Sequence, residues 1–232
     1  MSQKLKPNKV LVHIFKGLAA ISVIALSACG NQPRVPDWAL NAEAAAQKAT
    51  QAYLQGQQRV ETLQWQKARD AVASTGQPAL AAKVELMRCA AQVASLDWNN
   101  CSAYEALAQD ADQSERAYAQ YLKGELHPSD VGQLPQAQRA AVGAIAASGL
   151  SGLAKVQDPL SRLVAAGVML RAGSASAELL QLGVDTASEQ GWRRALMAWL
   201  LLQQQAAERA GDMGTSGQIQ RRLKLLQMPG AK

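Results

Sequence analysis

Glycines recur along this chain at a spacing of about one helix plus a turn, and this pattern constrains the fold more than any other feature. Helix-favouring segments end at Gly56, Gly76, Gly124, Gly149, Gly173, Gly191 and Gly211. Glycine readily adopts the left-handed backbone conformation that closes a helix. The segments between these glycines are rich in Ala, Leu, Gln and Arg, which favour helix. The pattern therefore predicts an all-α protein in which successive helices pack as antiparallel pairs.

Chain length and composition fit a helical domain with a substantial core. The chain has 232 residues and a single Phe, Phe15, so the part that follows Cys29 contains none. About 200 residues suffice for one domain or two small ones. Helix pairs stacked in sequence form an α-solenoid, and the spacing resembles that of tetratricopeptide-like proteins in architecture, although no segment carries their full consensus. A compact bundle of the same helical hairpins is the alternative.

The first 28 residues have the build of an export signal. They contain no acidic residue, and their basic residues are Lys4, Lys6, Lys9 and Lys16. An almost wholly apolar run from Gly17 to Ala28 follows and ends in small residues. A membrane span needs roughly 20 consecutive apolar residues. The shorter run here therefore disfavours an uncleaved anchor.

The end of this segment, Leu26-Ser27-Ala28-Cys29, resembles the lipobox of bacterial lipoproteins. The resemblance implies that Cys29 is thioether-linked to diacylglycerol, becomes the N-terminus after cleavage and is then N-acylated. A secretory signal cut after Ala28 is the alternative, and the cysteine favours the lipoprotein. Three acyl chains would hold the protein stably at a membrane. In enterobacterial lipoproteins an aspartate after the cysteine causes retention in the inner membrane, so Gly30 implies the periplasmic face of the outer membrane.

Prolines, glycines and polar residues between the helical segments predict the organisation of the rest of the chain. Residues 29–36 read as a flexible tether, 37–123 as an N-terminal helical half, 124–134 as a loop and 135–228 as a C-terminal helical half. Four of the 24 Lys+Arg residues lie in the signal, so the remainder is close to neutral against 18 Asp+Glu. The basic pI of the whole chain therefore does not indicate a nucleic-acid partner.

Polar residues at segment starts predict where helices begin. Ser102 with Glu105 fits a capping box, and Thr215 with Gln218 provides a similar start. The dipeptide Asp158-Pro159 combines a capping side chain with a proline that suits the first helical position. Pro78 is expected to open another helix for the same reason.

Apolar periodicity predicts the buried faces. In the segment that follows Pro78, the predicted core stripe is Leu86, Cys89, Val93 and Leu96. A parallel polar row is predicted to face water: Glu85, Arg88, Gln92 and Ser95. Buried faces are predicted elsewhere at Trp65, Ala68 and Val72, at Trp192, Leu196 and Trp199, and at Ile219, Leu223 and Leu226. The last helix also carries Arg221, Arg222 and Lys224, as a solvated cap or as a basic patch for lipid or a partner.

Two cysteines remain once Cys29 is acylated. An even pair in an oxidising compartment favours a disulfide, so Cys89 and Cys101 are predicted to be bridged. The helix rises about 1.5 Å per residue from Cys89 to a corner near Leu96, and the loop after it can return about the same distance. The alternative is that Cys89 is a small buried apolar residue and Cys101 a turn residue.

The sequence contains little that suggests catalysis. The only imidazole after Cys29 is His127, which precedes a proline and has no nucleophile motif nearby. No Gly-rich phosphate loop follows a strand and no Cys/His spacing suits zinc, so neither a cofactor nor a metal is expected. Paired carboxylates stay open, and a cell-envelope hydrolase that uses residues such as Glu105 or Glu115 is the alternative function.

A wider resemblance is carried by the lipobox together with residues 86–91, 95–97 and 117–122. This combination resembles a group of proteobacterial lipoproteins that supplies no activity, and more loosely the tetratricopeptide-like outer-membrane lipoproteins that act as assembly factors or pilotins. The resemblance implies a non-enzymatic module that is attached to the membrane through acyl chains on Cys29 and binds an envelope protein or peptide.

Overall fold

The computed structural model describes residues 35–228, and every regular element within that range is helical. The α-helices are α1 (Asp37–Gln55), α2 (Gln58–Ala73), α3 (Pro78–Ala94), α4 (Ser102–Glu105), α5 (Gln113–Lys123), α6 (Gln136–Leu153), α7 (Pro159–Arg171), α8 (Ala177–Glu189), α9 (Arg193–Arg209) and α10 (Met213–Gln227). Short 3-10 helices cover Ala108–Asp110 and Pro128–Gln133. The predicted all-α class is confirmed. The signal 1–28, the acylation residue Cys29 and the tether up to residue 34 lie outside the described residues.

The glycines that predict helix ends all have left-handed backbone conformations, with φ between 60° and 89°. Six of them lie within three residues after the end of a helix, as predicted. The exception is Gly149, which lies inside α6 and forms a kink with Ser148. Helical geometry resumes directly after the kink. Gly152 then lies so close to the backbone before the kink that a Cβ atom on it would be 2.0 Å from the Ala144 carbonyl oxygen. The predicted helix end is therefore a bend within one helix.

The predicted helix starts have mixed outcomes. Asp158 caps α7 as expected, because its Oδ2 accepts a hydrogen bond of 2.8 Å from the backbone N–H of Ser161. The start predicted at Thr215 is wrong by two residues. Helix α10 begins at Met213, and Asp212 is the capping residue, with Oδ1 2.9 Å from the Thr215 nitrogen.

The capping box predicted at Ser102 is also wrong. Cys101 occupies the cap position with φ 55° and makes no side-chain capping bond, and Ser102 is the first helical residue. Helix α4 is only four residues long. The corner before it brings Cys101 towards α3, so tertiary placement of the cysteine overrides the local capping signal.

Helix α3 lies at the centre of the fold and contacts α1, α2, α5 and α7. Its predicted apolar stripe is buried at Leu86, Cys89 and Val93. The prediction that the parallel polar row faces water is wrong, since three of its four members are at most 7% exposed: Glu85, Gln92 and Ser95. A helix surrounded by neighbours buries polar side chains as well, and these need partners.

Glu85 obtains its partner from α2. The Arg69 Nε donates to Glu85 Oε1 at 2.5 Å and a second guanidinium nitrogen lies 3.2 Å from Oε2, which makes the ion pair bidentate. This hydrogen bond to Glu85 raises the pKa of the Arg69 guanidinium. A bidentate Arg–carboxylate pair fixes geometry as well as charge. It therefore sets how α2 lies against α3.

Two tryptophans, one directly before α9 and one within it, join the C-terminal helices to the N-terminal ones. The Trp192 Nε1–H donates to Gln51 Oε1 of α1 at 2.9 Å, and the Trp199 Nε1–H donates to the Ala94 carbonyl oxygen at the end of α3 at 3.0 Å. Both indoles are at most 2% exposed, as predicted. Stacking of neighbouring hairpins alone does not bring α1 and α9 into contact. Their contact therefore closes the helices around α3.

One continuous core serves the helices on both sides of the 124–134 segment. Its members include Leu86 and Val93 of α3 together with Leu163 and Val164 of α7. A smaller apolar cluster lies between α1 and α2 around Trp65. The helices belong to one compact unit. None of the helices within residues 35–228 is long and apolar enough to cross a membrane.

Candidate functional site

A cleft of about 630 Å³ combines an apolar lining with several charged side chains and is here called the main cleft. It lies between α1, α3, α5, the start of α6 and the start of α7. Its floor is apolar and fully covered, with Leu86 and Leu134 at 1% and 2% exposure. Its apolar walls are Met87, Ala90, Tyr118, Pro135, Ala137 and Leu160. Its volume and apolar lining are those of a ligand or peptide site.

A second concavity of about 360 Å³, here called the side hollow, continues the main cleft along α1 and α3. Its lining includes Trp38 and Leu80. Three residues line both concavities: Glu43, Lys83 and Met87. The two spaces therefore share a wall and together form an elongated apolar groove rather than an isolated cavity.

The charged residues that line the main cleft are predominantly acidic. Three carboxylates, Glu43, Glu115 and Asp158, line it together with a single cation, Lys83. They come from α1, α5 and the cap of α7. Burial raises the pKa of the Tyr118 hydroxyl, and the negative charge of Asp158 raises it further. The cleft thus combines an apolar floor with a net negative edge.

Each of these carboxylates has a hydrogen-bond donor close to it in sequence. Gln47 donates to Glu43 at 3.2 Å and the Ser114 hydroxyl donates to Glu115 at 2.9 Å. Asp158 accepts its capping bond from the backbone of α7. Each side chain is oriented by its own helix, and its remaining oxygen lone pairs are available to a ligand.

Glu105 and Glu115, the two carboxylates that the sequence suggested for hydrolysis, do not line a common cleft. Glu115 lines the main cleft, whereas Glu105 lies outside it. Glu105 is about half exposed and forms an ion pair with Lys123, with Oε1 2.6 Å from Nζ. Glu105 and Glu115 therefore do not form a pair of carboxyl groups across one cleft.

His127 has a closer neighbour than its sequence context indicated. The Ser129 hydroxyl lies 2.8 Å from His127 Nδ1, and the backbone N–H of Ser129 points to the same nitrogen at 3.4 Å. In a nucleophilic dyad a third group orients the base. Here Asp130 accepts from the Ser129 hydroxyl, not from the imidazole. The exposed arrangement is that of a cap on the 3-10 helix at Pro128–Gln133.

The cysteines are placed for a disulfide. The Cα atoms of Cys89 and Cys101 are 5.2 Å apart and the two sulfurs lie at bonding distance. Cα separations of about 4.4–6.8 Å are typical of disulfides. The pair is 2% and 3% exposed and lies beside the corner that follows α3. Such burial fits a structural bridge rather than a reactive one.

Metal chemistry has no evident location in the part of the chain that the structure describes. Across those residues His, Cys, Asp and Glu side chains do not come together in groups of three that could hold a metal ion. The three carboxylates of the main cleft thus line a cleft and do not converge on one metal-binding position.

Sequence reasoning missed most of the residues that define the main cleft. Asp158 was identified as a helix start, but Glu43 and Lys83 carried no signal. They lie on the outer faces of α1 and α3, where charged residues are ordinary. Only the packing of α1 and α7 against α3 turns these positions into one edge.

Comparisons with known proteins give no analogue for this arrangement. No family model, curated protein or solved structure matches the chain. The function is therefore inferred from the geometry and from the lipobox resemblance.

Proposed function

We propose that this protein is a lipid-anchored periplasmic helical protein that acts as an interaction or assembly module at the outer membrane. Acyl chains on Cys29 attach it to the membrane, and the helical domain binds another envelope protein or peptide. The lipobox Leu26-Ser27-Ala28-Cys29 supports the anchor. The observation that carries the binding role is the main cleft.

The main cleft supports peptide or protein binding through its form. Its walls at Met87, Pro135 and Leu160 present apolar surface, and the side hollow extends it along α1 and α3. Grooves between helices commonly accept an apolar helix face or an extended segment. The polar rim of Gln47, Thr50, Ser114 and Gln133 supplies side chains that can hydrogen-bond to a backbone.

A cell-envelope hydrolase is the second candidate, and one observation favours it. Glu43, Glu115 and Asp158 line the same cleft, and glycoside hydrolysis uses two carboxyl groups about 5–10 Å apart across a substrate. The capping bond of Asp158 and the local bonds of the other two are also what surface carboxylates ordinarily make. The test is incubation with purified peptidoglycan. If the wild-type protein released soluble fragments and Glu115→Gln abolished that release, the function would be hydrolysis and not the proposed interaction module.

The test of the module is affinity purification from detergent-solubilised envelopes, followed by quantitative mass spectrometry. We expect a specific envelope protein to be enriched with the wild-type chain. Ala137→Trp places a large side chain at the exposed rim of the main cleft and should remove that protein. Gln205→Trp, on the exposed side of α9, is the matched control and should retain it. Absence of any specific partner would contradict the proposed function.

A further inference from the structure

The charges that surround the main cleft are unbalanced. Glu43 approaches it from α1, Glu115 from α5 and Asp158 from the start of α7, whereas Lys83 is the single basic residue in the lining. The chain after Cys29 is close to neutral as a whole. The negative edge is therefore a local property of this cleft and not a consequence of overall composition.

The apolar surface beside these charges is accessible at the walls of the cleft rather than at its floor. Leu86 and Leu134 form a buried floor, and Met87 and Leu160 are half-buried at its walls. Methionine adapts its shape to different apolar partners. Met87 also lines the side hollow, so one flexible side chain lies at the junction of both spaces.

Apolar walls and an acidic edge together indicate one kind of occupant. We infer that the main cleft binds an amphipathic basic helix of a partner protein, with its apolar face on Met87, Tyr118 and Leu160 and its Lys or Arg side chains directed to Glu43, Glu115 and Asp158. This inference rests on the proposed function, whose partner it describes. Complementary charge at a rim supplies orientation and association rate, while the apolar walls supply most of the affinity.

The test uses defined peptides and the acylated full chain held in zwitterionic lipid nanodiscs, with empty nanodiscs as the blank. The probe is a fluorescein-labelled peptide of Leu and Lys patterned as an amphipathic helix. A second peptide carries Glu at every Lys position, and a third has the Lys composition with its apolar face scrambled. We expect fluorescence anisotropy to show tight binding of the first peptide only, weakened by about 1 M NaCl because salt screens rim charges.

Charge variants locate the binding. Neutralising the cleft in the triple variant Glu43→Gln, Glu115→Gln, Asp158→Asn should weaken binding of the Lys peptide about tenfold, as three partly exposed charge contacts are lost. Asparagine retains a capping side chain at position 158. The matched control removes three exposed carboxylates elsewhere: Asp110→Asn, Glu125→Gln and Asp185→Asn. It should change binding less than about twofold.

Three results would overturn the inference. They are equal binding of the Glu peptide, equal binding of the scrambled peptide, and equal weakening by the two triple variants. These results leave the envelope purification unaffected, because a partner of different chemistry, or one bound elsewhere, would still be enriched there. Failure of the inference is thus distinct from failure of the proposed function.

Discussion

The backbone of α8 at Gly183 lies directly against the Trp199 ring of α9. This close approach fixes the contact between the two helices. A Cβ atom on Gly183 would lie 2.2 Å from a ring carbon of Trp199. Trp199 is fully buried, and its Nε1–H is bonded to the Ala94 carbonyl oxygen of α3. The indole thus has little freedom to move aside. Only glycine permits this arrangement of the three helices.

Gly183→Ala should therefore destabilise the fold by about 1–3 kcal/mol, the range for over-packing in a core. Gly217→Ala is the matched control, because that glycine is also helical but its Cβ would meet only Arg221 at 3.7 Å. The control should stabilise by about 0.5–1 kcal/mol through helix propensity. Urea unfolding monitored by circular dichroism measures both, and equal effects would contradict the close contact.

Tyrosine hydroxyls provide a second comparison between single residues. The Tyr121 hydroxyl is buried and has no hydrogen-bond partner among the residues that the structure describes. The Tyr53 hydroxyl donates to Asp97 Oδ2 at 3.3 Å, its ring lies under the Arg194 guanidinium, and burial raises its pKa to about 12. Removing an unpaired buried hydroxyl relieves its desolvation penalty, whereas removing a paired one loses a hydrogen bond that stabilises the fold.

Tyr121→Phe should accordingly leave the free energy of unfolding unchanged or raise it by up to about 1 kcal/mol. Tyr53→Phe should lower it by about 1 kcal/mol. Both free energies come from denaturant titrations at neutral pH. If the Tyr121 variant were the less stable of the two, the hydroxyl would have a partner that the geometry does not show.

At the scale of elements, most helix ends and apolar faces were predictable, and the surroundings of polar side chains were not. A left-handed glycine terminates a helix through local backbone sterics, so the sequence sufficed for Gly56 or Gly211. Whether Glu85 faces water depends on α2 covering it, and that is a tertiary fact. The main cleft escaped prediction for the same reason, because Glu43, Glu115 and Asp158 belong to segments that are distant in sequence.

The bridge between α3 and α4 gives an element-scale prediction. Alkylation of exported protein without prior reduction should leave both Cys89 and Cys101 unmodified in mass spectrometry. Reduction should then destabilise the fold by about 2–3 kcal/mol, since the loop that the bridge closes spans a separation of 12 residues. The double variant Cys89→Ala, Cys101→Ala should be insensitive to reductant. Two alkylated thiols in the folded, exported protein would refute the bridge.

At the scale of the whole molecule, the anchor and the helical domain make separate contributions. The anchor belongs to residues outside the described part, so its test is chemical. Cys29→Ser should abolish labelling with a clickable palmitate analogue and leave unprocessed precursor, because diacylglyceryl transfer requires the thiol. Cys89→Ala is the matched control and should retain the label. Persistent label on the Cys29→Ser protein would contradict lipidation at that residue.

Photo-crosslinking in living cells tests most directly whether the main cleft binds an envelope partner. A benzophenone amino acid at Ala137, which is exposed at the rim of the cleft, is compared with the same amino acid at Gln205 on α9. We expect a discrete crosslinked species from position 137 that is absent from position 205, with the crosslink mapping to a basic, apolar-bearing segment of one envelope protein. No crosslink from position 137, or the same products from both positions, would contradict the role of the cleft.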